Sequence, residues 1–221
     1  MTSANRYRDR VEAGQALAKH LASRLRPDDR PVILALPRGG VPVGAEIARA
    51  LSAPLDVFVV RKLGLPGQPE FAMGALASGG VQLLDELLIA TETVSPNAIA
   101  RVVQEETREL HRRERLYRGD RPPPEIEQRH VILVDDGVAT GYTMRVAVLA
   151  LQKLRPASLT IAIPVGAPET CAALASAVDE LICPLQPTPF YAVGVWYDHF
   201  PPLTDAQVRA SLSGAPTPAD D

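Results

Sequence analysis

Val131-Ile132-Leu133-Val134-Asp135-Asp136-Gly137-Val138-Ala139-Thr140-Gly141-Tyr142-Thr143 reads as an apolar strand that carries two acids to its tip and then opens a helix. A helix is expected from about Thr143 to Leu154, then a strand over Leu159–Pro164, a helix from near Pro168 and a strand over Val178–Ile182. Upstream, Val32–Leu36 is a short apolar run ended by Pro37-Arg38-Gly39-Gly40. Val43, Ile47 and Leu51 then recur every four residues, and Leu55–Val60 is a second strand broken by Arg61-Lys62. Strand, glycine turn, helix and strand make a βαβ unit with a right-handed crossover, and its repetition predicts an α/β fold. The expected architecture is an open, mostly parallel twisted sheet flanked by helices.

The flanks are read the same way. Tyr7, Val11, Gly14, Ala18, Leu21, Ala22 and Leu25 repeat at threes and fours, so an amphipathic helix is expected over Tyr7–Leu25, stopped by Pro27, Asp28, Asp29 and Pro31. Ser95-Pro96 pairs a capping serine with a proline suited to the first helical position, and the helix runs to about Gly119. Its end is rich in arginine (Arg108, Arg112, Arg113, Arg115, Arg118, Arg121), read as a solvated face partly balanced by Glu109 and Glu114 that could also serve a homodimer. Residues 64–84 are read as a flexible loop followed by a strand pair, and residues 184–202, rich in proline and aromatics, as a small C-terminal hood. One domain is expected over 1–212, with a disordered tail over 213–221.

Composition narrows the function classes. The 221 residues carry 23 Lys and Arg against 26 Asp and Glu, a net charge of −3, which argues against a dedicated nucleic-acid binder. No apolar run approaches the roughly 20 residues of a membrane span. Cys171 and Cys183 lie twelve apart without a companion histidine, and read as ordinary residues of a reduced, cytoplasmic protein.

The carboxyl ends of parallel strands share one edge of the sheet, where ligands bind. Three polar turns fall there: Arg38-Gly39-Gly40, Arg61-Lys62, and Asp135 through Thr143. In the third, Ala139, Thr140, Gly141 and Thr143 would present backbone N–H groups at a helix N-terminus, where unpaired donors and the helix dipole favour a phosphate. The adjacent Asp135 and Asp136 would repel that phosphate; they suit hydroxyl groups or a divalent cation. A ribose 5-phosphate satisfies both ends. The turn at Arg38-Gly39-Gly40 offers free amides and one guanidinium to an anion such as diphosphate, and no Walker A sequence is present.

The stretch Val131–Thr143 resembles the phosphoribosyl-diphosphate motif of the type I phosphoribosyltransferases: an apolar strand, two acids, a short loop, Thr-Gly, a variable residue and Thr. The resemblance implies that Asp135 and Asp136 hold the ribose hydroxyls and that Ala139, Thr140, Gly141, Tyr142 and Thr143 cradle the 5-phosphate. Arg38-Gly39-Gly40 is similar to the family's diphosphate loop, in which a non-proline cis peptide is frequent. Arg61-Lys62 with Leu65-Pro66-Gly67 is similar to the start of its flexible closing loop. Tyr191 through Asp198 resembles a hood segment in which an aromatic residue, here Tyr191 with Trp196 beside it, stacks on a base. A later aspartate, here Asp198, joins Asp135 and Asp136 in holding magnesium. Ala139 stands where members acting on 6-oxopurines place an aspartate, which leaves adenine, pyrimidine and non-base acceptors open.

The implied reaction is transfer of a 5-phosphoribosyl group from phosphoribosyl diphosphate to a nitrogen nucleophile on a small planar acceptor, with Mg²⁺ carried mainly by the substrate. Asp135, Asp136, Arg38 and Lys62 are the expected catalytic groups, with Lys62 arriving on loop closure. The alternatives are a non-catalytic sensor of phosphoribosyl diphosphate or a nucleotide, and a hydrolase or phosphorylase of a phosphoribosyl compound.

Overall fold

The structure, a computed structural model, describes residues 6–26 and 29–214. Its elements are α1 (Arg10–Ala22), β1 (Pro31–Ala35), α2 (Gly40–Leu51), β2 (Leu55–Val57), β3 (Val60–Leu65), β4 (Gln68–Ala77), β5 (Val81–Leu84), α3 (Glu86–Thr91), α4 (Pro96–Arg118), β6 (His130–Val134), α5 (Tyr142–Lys153), β7 (Ser158–Ala162), α6 (Pro168–Ala175), β8 (Glu180–Ile182) and α7 (Asp205–Ser213). Five strands form a parallel sheet in the order β2-β1-β6-β7-β8. This is the expected open α/β architecture.

Both faces of the sheet are covered, so its central strands β1 and β6 read as continuous apolar runs, Pro31–Ala35 and 131–134, rather than as alternating ones. Val32, Leu34, Val131 and Leu133 enter one core with Met144, Ala147, Val148 and Leu151 of α5 and Leu174 of α6. The intervening Ile33, Ala35, Ile132 and Val134 enter the other core with residues of α1, α2, α4 and α7. A residue's parity along the strand therefore decides which layer it packs against.

The strand order carries the functional consequence. From β1 the chain crosses through α2 to β2 on one side, and from β6 it crosses through α5 to β7 on the other. β1 and β6 are direct neighbours, with Ala35 opposite Val134. The two turns that leave these strands thus diverge to opposite faces, and a crevice opens between them at the carboxyl edge.

Four expectations are corrected. Arg61 and Lys62 do not break a strand: they lie inside β3, which pairs antiparallel with β4 in a separate three-stranded sheet, β3-β4-β5. Within residues 64–84 the expected strand pair is present as β4 and β5, but the part read as a flexible loop belongs to the β3–β4 hairpin, whose β-branched-poor sequence carries little strand signal. The buried stripe of α1 is Arg10, Ala13, Gly14, Leu17, Ala18 and Leu21, rotated from the expected one, and Val11 is exposed. Finally, one arginine of α4 is not on the solvated face: Arg118 is buried against Asp56 of β2, whereas Arg108, Arg112 and Arg115 are exposed and Arg112 and Arg113 are balanced by Glu109 as expected. Of the expected turn after α1, Pro27 and Asp28 lie outside the described residues, as does the tail beyond Gly214; Ser213 still belongs to α7. Among the described residues no helix is long and apolar enough to cross a membrane.

Candidate functional site

At the end of β6 the chain enters an uncapped helix start. Gly141 adopts φ 71° and ψ 9° as the residue before α5, and no side chain caps that helix. Its left-handed backbone suits glycine, and a Cβ here would lie 2.5 Å from Thr170 Cγ2. The carbonyls of the loop are engaged: Thr170 Oγ1 donates to Ala139 O at 2.6 Å, and Arg145 donates to Thr140 O at 2.8 Å. Its amides are not. Among the described residues nothing accepts from the N–H groups of Ala139, Thr140, Gly141, Tyr142, Thr143 or Met144. Ala139, Thr140, Tyr142 and Thr143 are exposed. Six successive free donors at the positive end of a helix form an anion cradle.

The turn after β1 faces the same crevice. The Pro37–Arg38 peptide is cis. Gly39 and Gly40 have no room for a side chain: a Cβ on Gly39 would lie 2.1 Å from Asp136 Oδ2, and one on Gly40 would lie 2.6 Å from Val134 O. These glycines let the turn lie directly against the acid-bearing end of β6. The Arg38 side chain is exposed and hydrogen-bonds to no group among the described residues, and the amides of Arg38 and Gly39 also lack acceptors.

The two acids are not equivalent. Asp135 Oδ1 accepts from the Asp136 amide at 2.8 Å, while its second oxygen has no partner among the described residues. Burial and the neighbouring Asp136 charge raise its carboxyl well above the ordinary range. Asp136 Oδ2 accepts from Arg10 Nε at 2.8 Å, and both side chains are nearly buried. Burial also raises Asp136, opposed by the Arg10 charge. The Tyr197 hydroxyl donates to the Asp136 carbonyl at 2.6 Å; burial, with Asp136 nearby, lifts the phenol above its usual value and keeps it a donor.

Of the remaining expected site residues, Arg61 is turned away, donating to Glu106 of α4 at 2.7 Å. Lys62 donates to Glu70 O at 3.1 Å across the β3–β4 hairpin. Neither bonds to the two central turns. The hood is irregular apart from a 3-10 helix over Val193–Trp196. Tyr191 is 79% exposed, Asp198 is exposed, and Trp196 is half-buried with its Nε1 unpartnered. The hood residues that reach the crevice are instead Tyr197 and Val193, the latter against Gly137, where a Cβ would lie 2.6 Å from Val193 Cγ1.

Arg10 and Tyr197 are therefore the residues missed by sequence reading. Tyr197 carried no mark beyond the aromatic density of its segment. Arg10 did: it sits three and four residues before Ala13 and Gly14, a charged group in register with a buried stripe. Such a group needs an internal partner.

No cluster of three or more His, Cys, Asp or Glu suited to a metal ion exists among the described residues. Asp135 and Asp136 each leave one carboxylate oxygen without a partner among the described residues, Asp136 holding Arg10 through the other. That sparse oxygen set fits Mg²⁺ when most ligands come from a bound diphosphate and sugar, because this ion keeps a full oxygen shell and needs few protein groups.

A parallel α/β sheet thus carries an anion cradle and an acid pair at its switch point. The chain belongs to the phosphoribosyl transferase family: the model "Phosphoribosyl transferase domain" matches residues 7–187. It is 38% identical over 209 residues to proteins of Mycobacterium tuberculosis strains CDC 1551 and H37Rv, each named "Putative phosphoribosyl transferase". The alignment takes in 95% of this chain and 47% of theirs, so the chain spans about half the length of these relatives. The crystal structure of TT1426 from Thermus thermophilus is similar over 94% of this chain and 97% of that one, with 40% identity and a TM-score of 0.80.

Proposed function

We propose that the chain transfers a 5-phosphoribosyl group from phosphoribosyl diphosphate to a nitrogen nucleophile on a small planar acceptor, releasing diphosphate. The observation that carries this reading is the run of six unpaired amides, Ala139 to Met144, directly after an acid pair. The amides take the 5-phosphate. The free oxygen of Asp135 accepts from a ribose hydroxyl. Arg38, with the free amides of Arg38 and Gly39, meets the diphosphate. Tyr191 is the exposed aromatic face nearest in sequence to the hood's contact with the site, and it offers a stacking surface to the acceptor.

Bond breaking at the anomeric carbon leaves positive charge on the sugar and adds negative charge to the diphosphate. The chain's task is to hold both ends in fixed positions and to neutralise the leaving group through Arg38 and backbone donors already in place. Mg²⁺ held by Asp135 and the substrate oxygens would supply electrostatic stabilisation of the departing diphosphate; Asp198, exposed on the hood, is not brought into a cluster with the acid pair among the described residues. No protein nucleophile is required.

Radiolabelled phosphoribosyl diphosphate, Mg²⁺ and a panel of planar nitrogen acceptors test the reading. A phosphoribosylated acceptor supports it; free ribose 5-phosphate indicates hydrolysis, and unreacted bound ligand indicates a sensor. In the same system, Arg38→Ala is expected to weaken diphosphate binding about tenfold, equivalent to about 1.4 kcal/mol. Isothermal titration reads this directly, and an unchanged affinity would show that the guanidinium faces elsewhere.

A further inference from the structure

We propose that Cys171 and Cys183 form a redox-modification site: hydrogen peroxide joins them as a disulfide, and the bridge displaces the α6 turn that holds the phosphate cradle. The disulfide stands on its own geometry; its effect on phosphate binding rests on the proposed function.

The two cysteines come from different segments, Cys171 from α6 and Cys183 from the chain directly after β8. Both are free thiols, Cys171 buried and Cys183 half-buried. Their sulfurs converge on Gly166: a Cβ there would lie 2.5 Å from Cys171 Sγ and 3.4 Å from Cys183 Sγ. Glycine puts no side chain at that point, which leaves the sulfurs room to approach. The Cys183 S–H lies within reach of Leu185 O, at 3.2 Å, and of the Cys171 sulfur. That neighbouring donor lowers Cys171 and favours its thiolate against burial, while the same contact and burial raise Cys183. Cys171 is thus the sulfur that reacts first, and an oxidant about the size of water suits its enclosure.

The Cys171 thiolate attacks one peroxide oxygen, the O–O bond breaks and hydroxide leaves, giving a sulfenic acid. The Cys183 sulfur then attacks Cys171 Sγ; the S–O bond breaks, and the Cys183 proton departs with that oxygen as water. Two thiols lose two electrons, and the peroxide takes them up.

The pair lies directly behind the cradle. Val138, between the acid pair and the free amides, pairs with Gly166: its amide donates to Val165 O at 2.9 Å, and its carbonyl accepts from the Ala167 amide at 3.0 Å. Cys171 follows Thr170, whose hydroxyl holds the Ala139 carbonyl and whose Cγ2 borders Gly141. Bonded sulfurs stand about 2.05 Å apart, well inside non-bonded contact. Closing the bridge therefore draws Cys171 towards Cys183 and carries Thr170 with it, releasing the Ala139 carbonyl and unsettling the donors beyond.

Reduced wild-type protein is treated with hydrogen peroxide, read by intact mass and peptide mapping, and titrated with ribose 5-phosphate. The expected result is the loss of two hydrogen atoms, a linked 171–183 peptide pair, and binding weakened about tenfold, an ordinary coupling between two sites. Dithiothreitol should restore both mass and affinity, which separates the bridge from oxidation of Met144, since a sulfoxide resists that reagent. Cys183→Ser cannot form the bridge and is expected to keep its affinity through the same treatment. The reversal is read on wild-type protein and decides the matter even if the variant misfolds. Absence of the 171–183 link, or a link that leaves ribose 5-phosphate affinity unchanged, overturns the proposal. Reduced protein that does not bind ribose 5-phosphate counts against the proposed function instead. NMR shifts of the ligand-free amides from Ala139 to Met144 on oxidation then decide the coupling: movement supports it, and unmoved amides overturn it.

Discussion

Gly141→Ala is expected to lower the affinity for phosphoribosyl diphosphate roughly a hundredfold, about 2.7 kcal/mol, and to lower stability as well. Two causes act together. A left-handed backbone costs a residue with a Cβ about 1–2 kcal/mol, and Gly141 sits at φ 71°. The new methyl would also start 2.5 Å from Thr170 Cγ2, and Thr170 is the residue whose hydroxyl holds the Ala139 carbonyl. Displacing it releases the loop and scatters the donors from Ala139 to Met144. Isothermal titration checks the affinity and thermal melting the stability. Full retention of binding in a folded variant would separate this loop from ligand recognition.

Asp56→Ala is expected to cost about 3–5 kcal/mol of stability, lowering the melting temperature by roughly 6–20 °C for a chain of this size. Arg118 Nε reaches Asp56 Oδ2 at 2.5 Å, and the second Asp56 oxygen accepts from the Val57 amide at 2.7 Å. The side chains are only 10% and 7% exposed. Burial raises the Asp56 carboxyl and the Arg118 charge opposes that rise, so the pair is maintained against its desolvation. Removing the acid leaves a buried guanidinium whose next carboxylate, Glu114, is 3.9 Å away. A double variant with leucine at both positions should recover most of the loss, because it strands no charge. Equal melting of the wild type and Asp56→Ala would show that Arg118 finds solvent when its partner is gone.

What the sequence made legible was local or periodic. Ser95-Pro96 announced the start of α4, and the serine hydroxyl does accept from the Ala98 amide at 3.3 Å. The uninterrupted apolar runs ending in Arg38-Gly39-Gly40 and Asp135-Asp136 marked two parallel strands, and the fold makes those strands neighbours. The errors arose where distant groups decide. Arg61 and Lys62 looked like a strand breaker because charge is rare in a parallel core; an antiparallel sheet with a solvated face tolerates both, and Glu106 and Glu70 take them up. The pairing of Arg10 with Asp136 spans 126 positions, and no periodicity relates its members. The hood was read through the exposed Tyr191 and the half-buried Trp196, whereas Tyr197 makes the contact to the acid-bearing turn.

The most direct examination of the proposed phosphate-binding role of the Ala139–Met144 amides is a ¹⁵N-resolved NMR titration with phosphoribosyl diphosphate and Mg²⁺. Saturable downfield shifts of the amides from Ala139 to Met144, accompanied by those of Arg38 and Gly39, are the predicted result. Binding that leaves the 139–144 amides unmoved while perturbing another face would contradict the account.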